Sequence, residues 1–521
     1  MAIKTLIKPS EYHDSVRLMV VARDLARLPQ VEDAAVVMGT EANKALLKAA
    51  GLLDPAAEAA TPNDLVIAVS AAPEALDEAL AEAERLLHAK AAEQAAGKFR
   101  PKTLRSAVKA QPAANVAVIS VAGRYAVAEA WQALRMGLHV LLFSDNVSIE
   151  DEIALKQHAS QHGLLLMGPG AGTALLNGAA LGFANRIPSG PVGIISAAGT
   201  GLQEVSTLLA RHGVGITQGI GTGGRDLKEA VGGIMMLDGL KALQADPATQ
   251  VIVLISKPPA PEVARKVLEQ VGRSAKPTVL CLLGAAGGGR PPSAGEGIVF
   301  FAHTLQEAAL LAARRAGADL PPLFELLAEE QARLSRKAAF LREPQALCQR
   351  YLRGLFSGGT LCYEAQVIWR DLLPEPVFSN APLDIAWALP DPTISQGHTA
   401  VDLGEEEFTV GRPHPMLDND LRIRRLLQEA HDPETAVVML DLVLGYGAHP
   451  DPASELGPAV IQARQVARGA GRELLVIGSV TGTEQDPQRL SRQVQALESA
   501  GVLVCESNAS AARLAAGIVC G

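Results

Sequence analysis

Cysteine is scarce in this sequence, and what there is does not pair up. The five cysteines, Cys281, Cys348, Cys362, Cys505 and Cys520, are odd in number, far apart and without CxxC or Cys/His ligand spacing. That excludes a disulfide scaffold and a zinc site, and predicts reduced thiols. Aromatic residues make up 3% of the chain, too few for the stacking platforms that hold single-stranded nucleic acid. Positive charge is in deficit as well: a formal net charge of -9 leaves no basic footprint for DNA or RNA. No apolar run approaches the roughly 20 residues of a transmembrane helix. The opening MAIKTLIKPSEYHDS has no apolar signal-peptide stretch, so a cytoplasmic protein without membrane or nucleic-acid partners is expected. Walker A patterns, metal triads and nucleophile elbows are missing too.

Small residues are what the chain has in abundance. Its 521 residues include 48 glycines, and the length predicts three or four domains. Glycine and alanine at this density point to tight βα turns and close helix–sheet packing, as in doubly wound α/β folds. Residues 1–110 read as a small α/β domain, with strands at 3–8, 34–38 and 64–69 and helices at 13–28 and 74–96. The stretch 91–114 reads as a polar linker. Residues 111–190 read as a Rossmann-like half domain: strand 115–120, helix 125–136, strand 139–143, helix 150–162 and strand 164–167. It ends in GPGAGT (168–173), a loop that either contacts a phosphate or bends the chain. A second α/β series occupies 191–320, a charged helical connector 321–350, and a third α/β series 351–521.

The last two series repeat one plan. GIISAAGTGLQE (193–204) is echoed by GLFSGGTLCYEA (354–365), with Thr200 and Thr360 offset by 160 residues. ADPATQVIVLI (245–255) is echoed by HDPETAVVMLD (431–441), with Asp246 and Asp432 offset by 186. The difference of 26 places an insertion around DLLPEPVFSNAPLDIAWALPDP. AHTLQEAALLAA (302–313) answers SNASAARLAA (507–516). Three matches in the same order argue for duplication, and duplicated halves would share a site at their seam.

The chemistry follows from where the glycines fall. A strand that ends in a small-residue loop and turns into a helix presents unpaired N–H groups and about half a positive charge. Ser196, Gly199, Thr200 and Gly201 form one such start, and Ser357, Gly358, Gly359 and Thr360 another. Facing each other, they would hold a phosphate or carboxylate from both sides. GIGTGGRD (219–226) adds Gly221, Gly223, Gly224 and Arg225 as an anion nest. In GRPHP (411–415), prolines stiffen a loop that carries Arg412, suited to fork onto an anion, and His414, suited to proton transfer.

These motifs resemble the succinyl-CoA synthetase superfamily over roughly residues 115–521. GPVGIISAAGTGLQEVSTLLARHGVGITQGIGTGGRDL is similar to the phosphate-helix region and GIGGD loop of the synthetase α subunit, and the second half is similar to the β-subunit ligase domain. Within the superfamily, SVAGRYAVAEA, LFSGGTLCYEA and VGRPHPMLD resemble the FdrA family, as do the first 110 residues. The resemblance implies a Rossmann-like domain followed by two flavodoxin-like CoA-ligase domains behind a small α/β N-terminal domain.

Departures from the synthetase pattern are specific. Where its phosphohistidine loop GHAG would lie stands GGGRPPSAGEG (287–297), without histidine; the nearby His303 sits several residues away at a helix start. ISKPPA around Lys257 replaces the GEIGG loop, and GPGAGT replaces GPNCPG. Neither the glycine-rich CoA loop nor an ATP-grasp domain has a counterpart. Phosphoryl relay from a nucleotide is therefore not expected, whereas direct acyl-phosphate chemistry with phosphate as substrate is. The FdrA resemblance implies a carbamoyltransferase subunit working with two other protein subunits in allantoin and purine-nitrogen degradation. Its reaction would convert oxalurate, an anionic small molecule, and phosphate to oxamate and carbamoyl phosphate. No metal or cofactor is required; the missing loop disfavours CoA. The alternatives are an acyl-CoA ligase-like subunit or a non-catalytic scaffold of the same fold.

Overall fold

A computed structural model describes residues 2–520 except 12, 14, 27, 41, 42, 45, 46, 49, 94–100, 122, 286–297, 343–347 and 410–412. The chain forms two compact units, residues 1–110 with 405–414, and residues 111–404 with 415–521.

In the first unit, strand Leu65–Ala71 lies between Ala2–Lys8 and Val31–Met38 in an antiparallel sheet. Its alternating side chains serve two layers, as the period of a strand requires. Leu65, Ile67 and Val69 pack under helices Ser15–Ala26 and Leu76–Glu93, while Val66 and Ala68 join Leu47, Leu52 and Ala57 on the other face. The expected linker contains a helix, Leu104–Ala110.

The second unit opens with the parallel strands Val116–Ile119, His139–Leu142 and Leu166–Met167. The chain then bends at Gly168–Gly170. A Cβ on Gly168, whose φ is +115°, would lie 2.2 Å from the Leu142 carbonyl, so this loop is a close backbone crossing that only glycine permits. Beyond it, the hairpin Thr173–Leu176 and Ala179–Gly182 pairs antiparallel with Ile216–Gly221. The hairpin therefore belongs to the following sheet, not to the half domain ending at 190.

The duplication is explicit in the topology. One lobe orders its parallel strands Ile216–Gly221, Ser189–Ser196, Val251–Ser256, Thr278–Leu282, Val299–Ala302. The other orders them His398–Asp402, Tyr351–Phe356, Thr435–Val443, Leu475–Thr481, Val502–Cys505. Both have the flavodoxin-like order, second–first–third–fourth–fifth. Local chemistry repeats with it. Asp246 and Asp432 each follow a helix and accept from the amide two residues on, at 3.0 and 2.9 Å. Thr304 and Ser507 each cap their lobe's last helix through the side chain. One core runs through both lobes, including Leu202 and Leu209 of the first and Leu361, Trp369 and Leu514 of the second. The predicted insertion holds an edge strand, Val377–Ser379, and a 3-10 turn, Ile385–Trp387. Among the described residues no helix is long and apolar enough to cross a membrane.

Candidate active site

In each lobe the first strand ends and its helix begins where the strand order reverses, the place where open α/β sheets take ligands. The helices are Gly199–Arg211 and Gly359–Leu372. Their starts touch. The Thr360 amide donates to the Thr200 hydroxyl oxygen at 3.2 Å. A Cβ on Gly201 would lie 3.1 Å from the methyls of Ile255 and Thr360, and one on Gly358 would lie 3.0 Å from the Thr200 methyl. The glycines thus set the distance between the lobes. Gly199, Thr200, Gly201, Gly359 and Thr360 are brought together; Thr200 is 8% and Thr360 5% exposed.

The two starts differ in charge. In the first, the Ser196 hydroxyl accepts from the Ala198 amide at 3.0 Å and the Ala197 amide goes to the Ile255 carbonyl. Ser196 is therefore a buried internal cap. In the second, the Ser357 and Gly358 amides donate to the carboxylate of Asp441 at 2.7 and 2.8 Å. Those two donors, expected to face a bound anion, are already taken by one built into the fold. Asp402 adds another carboxylate, 2.5 Å from where a Gly359 Cβ would be. A phosphate at the second start would meet two negative charges, so the geometry favours an anion on the first start alone.

The glycine nest is largely structural. Gly221 is buried with its Cβ position 2.3 Å from the Thr173 carbonyl, and Gly223, at φ +87°, packs on Pro169. Gly224 is exposed beside them. Arg225 does not present a spare cation: its guanidinium pairs with Glu152 at 2.8 Å and donates to the Val147 carbonyl at 2.9 Å. Behind it, fully buried Lys156 reaches Glu152 and Asp226, each at 2.8 Å, and the Thr222 carbonyl at 3.0 Å. Arg412 lies outside the described residues. Half-buried His414 ends the 405–414 segment of the first unit. The stretch 287–297 lies wholly outside the described residues as well.

One turn beyond the threonines lies a pair that sequence reading passed over. Glu204 and Glu364 are offset by the same 160 residues as the threonines. Glu364, on the second lobe's first helix, accepts from the Leu305 amide at 2.6 Å, where the first lobe's last helix begins. Glu204 reciprocates at the Asn508 amide, 3.1 Å, on the second lobe's last helix. Each lobe caps the other. Burial raises the Glu364 carboxyl to about 7, against the hydrogen bonds from Asn508 and Leu305 that lower it, with Glu204 adding to the rise. The shared offset was the available signal; the capped amides, far off in sequence, gave none.

Two family models match parts of the chain. Residues 355–518 match the CoA-ligase family model. Residues 1–103 match a model described as AllF, heavy metal-associated domain. That stretch contains no cysteine, whereas soft heavy metals are held by thiolates. Among the described residues no group of three metal-ligating side chains occurs, so the residues do not fit such a metal. The chain is 28% identical over 166 residues to the succinate–CoA ligase [ADP-forming] α subunit of Methanothermobacter thermautotrophicus, covering 30% of this chain and 55% of that protein. An ATP citrate lyase from Methanothrix soehngenii, solved with citrate and coenzyme A, aligns at TM-score 0.33 and 24% identity over 43% of this chain and 39% of that one. The Escherichia coli K12 protein YahF, described as uncharacterized, is 45% identical over 527 aligned residues, all of this chain and 99% of YahF. The chain belongs to the YahF family, within the succinyl-CoA synthetase superfamily.

Proposed function

We propose that this chain is the acyl-phosphate-handling subunit of a phosphate-dependent carbamoyltransferase of the FdrA type. It would act with two partner subunits on oxalurate and phosphate to give oxamate and carbamoyl phosphate. The observation that supports this reading most is the junction of the two helix starts through Thr200 and Thr360. There the first-turn amides at Gly199–Gly201 offer fixed N–H donors and a helix dipole to a phosphate or to the oxyanion formed as the carbamoyl carbon is attacked. Such donors need no reorganisation during reaction, and losing one typically costs about 10²–10³ in rate.

The test is consumption of carbamoyl phosphate with oxamate by the full chain, alone and with the proteins encoded beside it. Thr200→Val keeps the side chain's shape but removes the acceptor that fixes Thr360. It is expected to lower kcat roughly tenfold or more while the folded content by circular dichroism is unchanged. No turnover in any combination removes the carbamoyltransferase reading.

The match of residues 355–518 to the CoA-ligase model favours a second reading, acyl-CoA synthesis with a separate nucleotide-binding subunit. CoA binding by calorimetry, with ATP-dependent thioester formation, would select it.

A further inference from the structure

Lys257 is the residue immediately after the first lobe's central strand, Val251–Ser256, at the end of the sheet where the helix start at Gly199 lies. Its side chain leaves the first lobe and meets the second. The ammonium sits 5.0 Å from the ring centroid of Tyr363, on the helix that starts at Gly359. Two residues before Lys257, the Ile255 carbonyl accepts from the Ala197 amide at 3.0 Å and the Ile255 methyl lies 3.1 Å from where a Gly201 Cβ would be, so the lysine leaves its strand beside the first helix start. The ring is fixed from the first lobe as well, because its hydroxyl would lie 3.3 Å from a Cβ on Gly284.

Lys257 is exposed and, among the described residues, pairs with no carboxylate. This is unusual company for a lysine that shares its surroundings with two of them: Lys257, Asp402 and Asp441 all act on the buried Cys362 thiol. Asp441 is committed to the Ser357 and Gly358 amides and stands 3.8 Å from Arg422; Asp402 accepts from the Gly404 amide. Neither carboxylate lies within 4.0 Å of the ammonium. A second polar group at the junction also lacks a partner: Thr360 is 5% exposed and its hydroxyl makes no hydrogen bond with a described residue.

Resting on the reading above, in which one anion occupies the Gly199–Gly201 start, we infer that Lys257 is the specificity-determining cation of the seam. It takes the carboxylate of a substrate whose phosphate or acyl group lies on the first-lobe amides. The aromatic face holds the ammonium in place without neutralising it, so its charge stays available to a ligand. The substrate class is therefore a small acyl compound or acyl phosphate with a second, carboxylate charge a few ångströms away, in preference to a monoanion of the same size.

The experiment uses the purified full chain and three probes read by isothermal calorimetry: inorganic phosphate, ethylphosphonate, and 3-phosphonopropionate, which adds a carboxylate to the second. Wild type is expected to bind 3-phosphonopropionate roughly tenfold more tightly than ethylphosphonate, the scale of one charge-assisted contact at a half-open site. Lys257→Met should erase that preference while phosphate affinity stays within about threefold, and Lys257→Arg should keep part of it. Lys257 is exposed, so neither variant threatens the fold; unchanged thermal transitions confirm this. If wild type binds phosphate but Lys257→Met keeps the carboxylate preference, the lysine assignment is wrong and the phosphate site stands. If wild type binds none of the three, the anion site itself is wrong and the inference falls with it.

Discussion

Lys156→Met is expected to destabilise the second unit by about 3–5 kcal/mol, the cost of removing one partner from a buried ion pair. Lys156, Glu152 and Asp226 are all fully buried. With Arg225 they make a set of two cations and two carboxylates. The ammonium ties helix Ile149–Gln161 to the loop that follows Ile216–Gly221, and Asp226 in turn accepts from the Met235 and Met236 amides at the next helix start. Methionine fills the space but leaves Asp226 without its cation and Glu152 with Arg225 alone. The transition midpoint in urea should fall, and hydrogen exchange should accelerate at 149–161 and 222–236 first. Removing its three fully buried members together, as Lys156→Met with Glu152→Gln and Asp226→Asn, should recover much of the loss, because a buried ion network is often no more stable than its neutral replacement. A single variant within about 0.5 kcal/mol of wild type would mean the network does not hold this loop.

The network also shows where sequence reading stops. Strands and helices were legible because their signals are local: continuous apolar runs such as QVIVLIS, and periodic helices between small-residue loops. Repeat anchors were legible because duplication copies them. Thr200 and Thr360 do meet, and Asp246 and Asp432 make the same turn. What stayed hidden has partners elsewhere in the chain. Asp441 aligns with Ile255, so the repeat itself suggested a strand-end aliphatic where the second lobe has its internal anion. Arg225 looked available because Glu152, its partner, lies 73 positions earlier in an unremarkable helix. The hairpin at 173–182 was missed although its Asn-Gly turn is a hairpin signal, because the two four-residue strands of TALLNGAALG are built mainly from Ala and Leu, which favour helix over strand. Its place is set by pairing with Gln218 and Gly219.

The divergence at position 441 also changes what the duplicated lobes can do. Two copies of an anion-binding helix start would, unaltered, hold two anions or one shared between them. Placing a carboxylate on the second makes that start self-sufficient, since its Ser357 and Gly358 amides are satisfied from within the fold. The first start is left as the one whose donors await a ligand. Duplication followed by one-sided filling is a direct route from a symmetric pair to a site with a defined orientation. Asp441 is thus an anion built into the fold, held by the Ser357 and Gly358 amides.

The reciprocal glutamates make the lobe seam pH-dependent, and Glu364→Gln should reveal it. Glu364 titrates near 7 in the folded chain, chiefly because it is buried, against an ordinary value of 4.5. Between those values the folded state holds a proton that the unfolded state has released. Stability therefore falls as pH rises from about 4.5 to 7 and levels off above, a change on the order of 3 kcal/mol from this group. Glutamine does not titrate. It keeps an acceptor for the Leu305 amide but turns its own N–H groups toward the Asn508 side-chain amide, which in wild type donates to Glu364 at 2.8 Å. The variant thus carries a fixed penalty of about 1–2 kcal/mol at every pH, while losing the slope. Relative to wild type it should be less stable at pH 5 and should close or reverse that deficit by pH 8. The measurement is the urea midpoint of both proteins across that range, and the informative quantity is their difference, because other titrating groups cancel in it. Parallel curves would show that Glu364 is ionised throughout and that the two donors, from Leu305 and Asn508, outweigh its burial. Glu204→Gln is the companion: removing the neighbouring charge should lower the Glu364 value and narrow the window from its upper end, a shift that a purely mechanical cap would not produce.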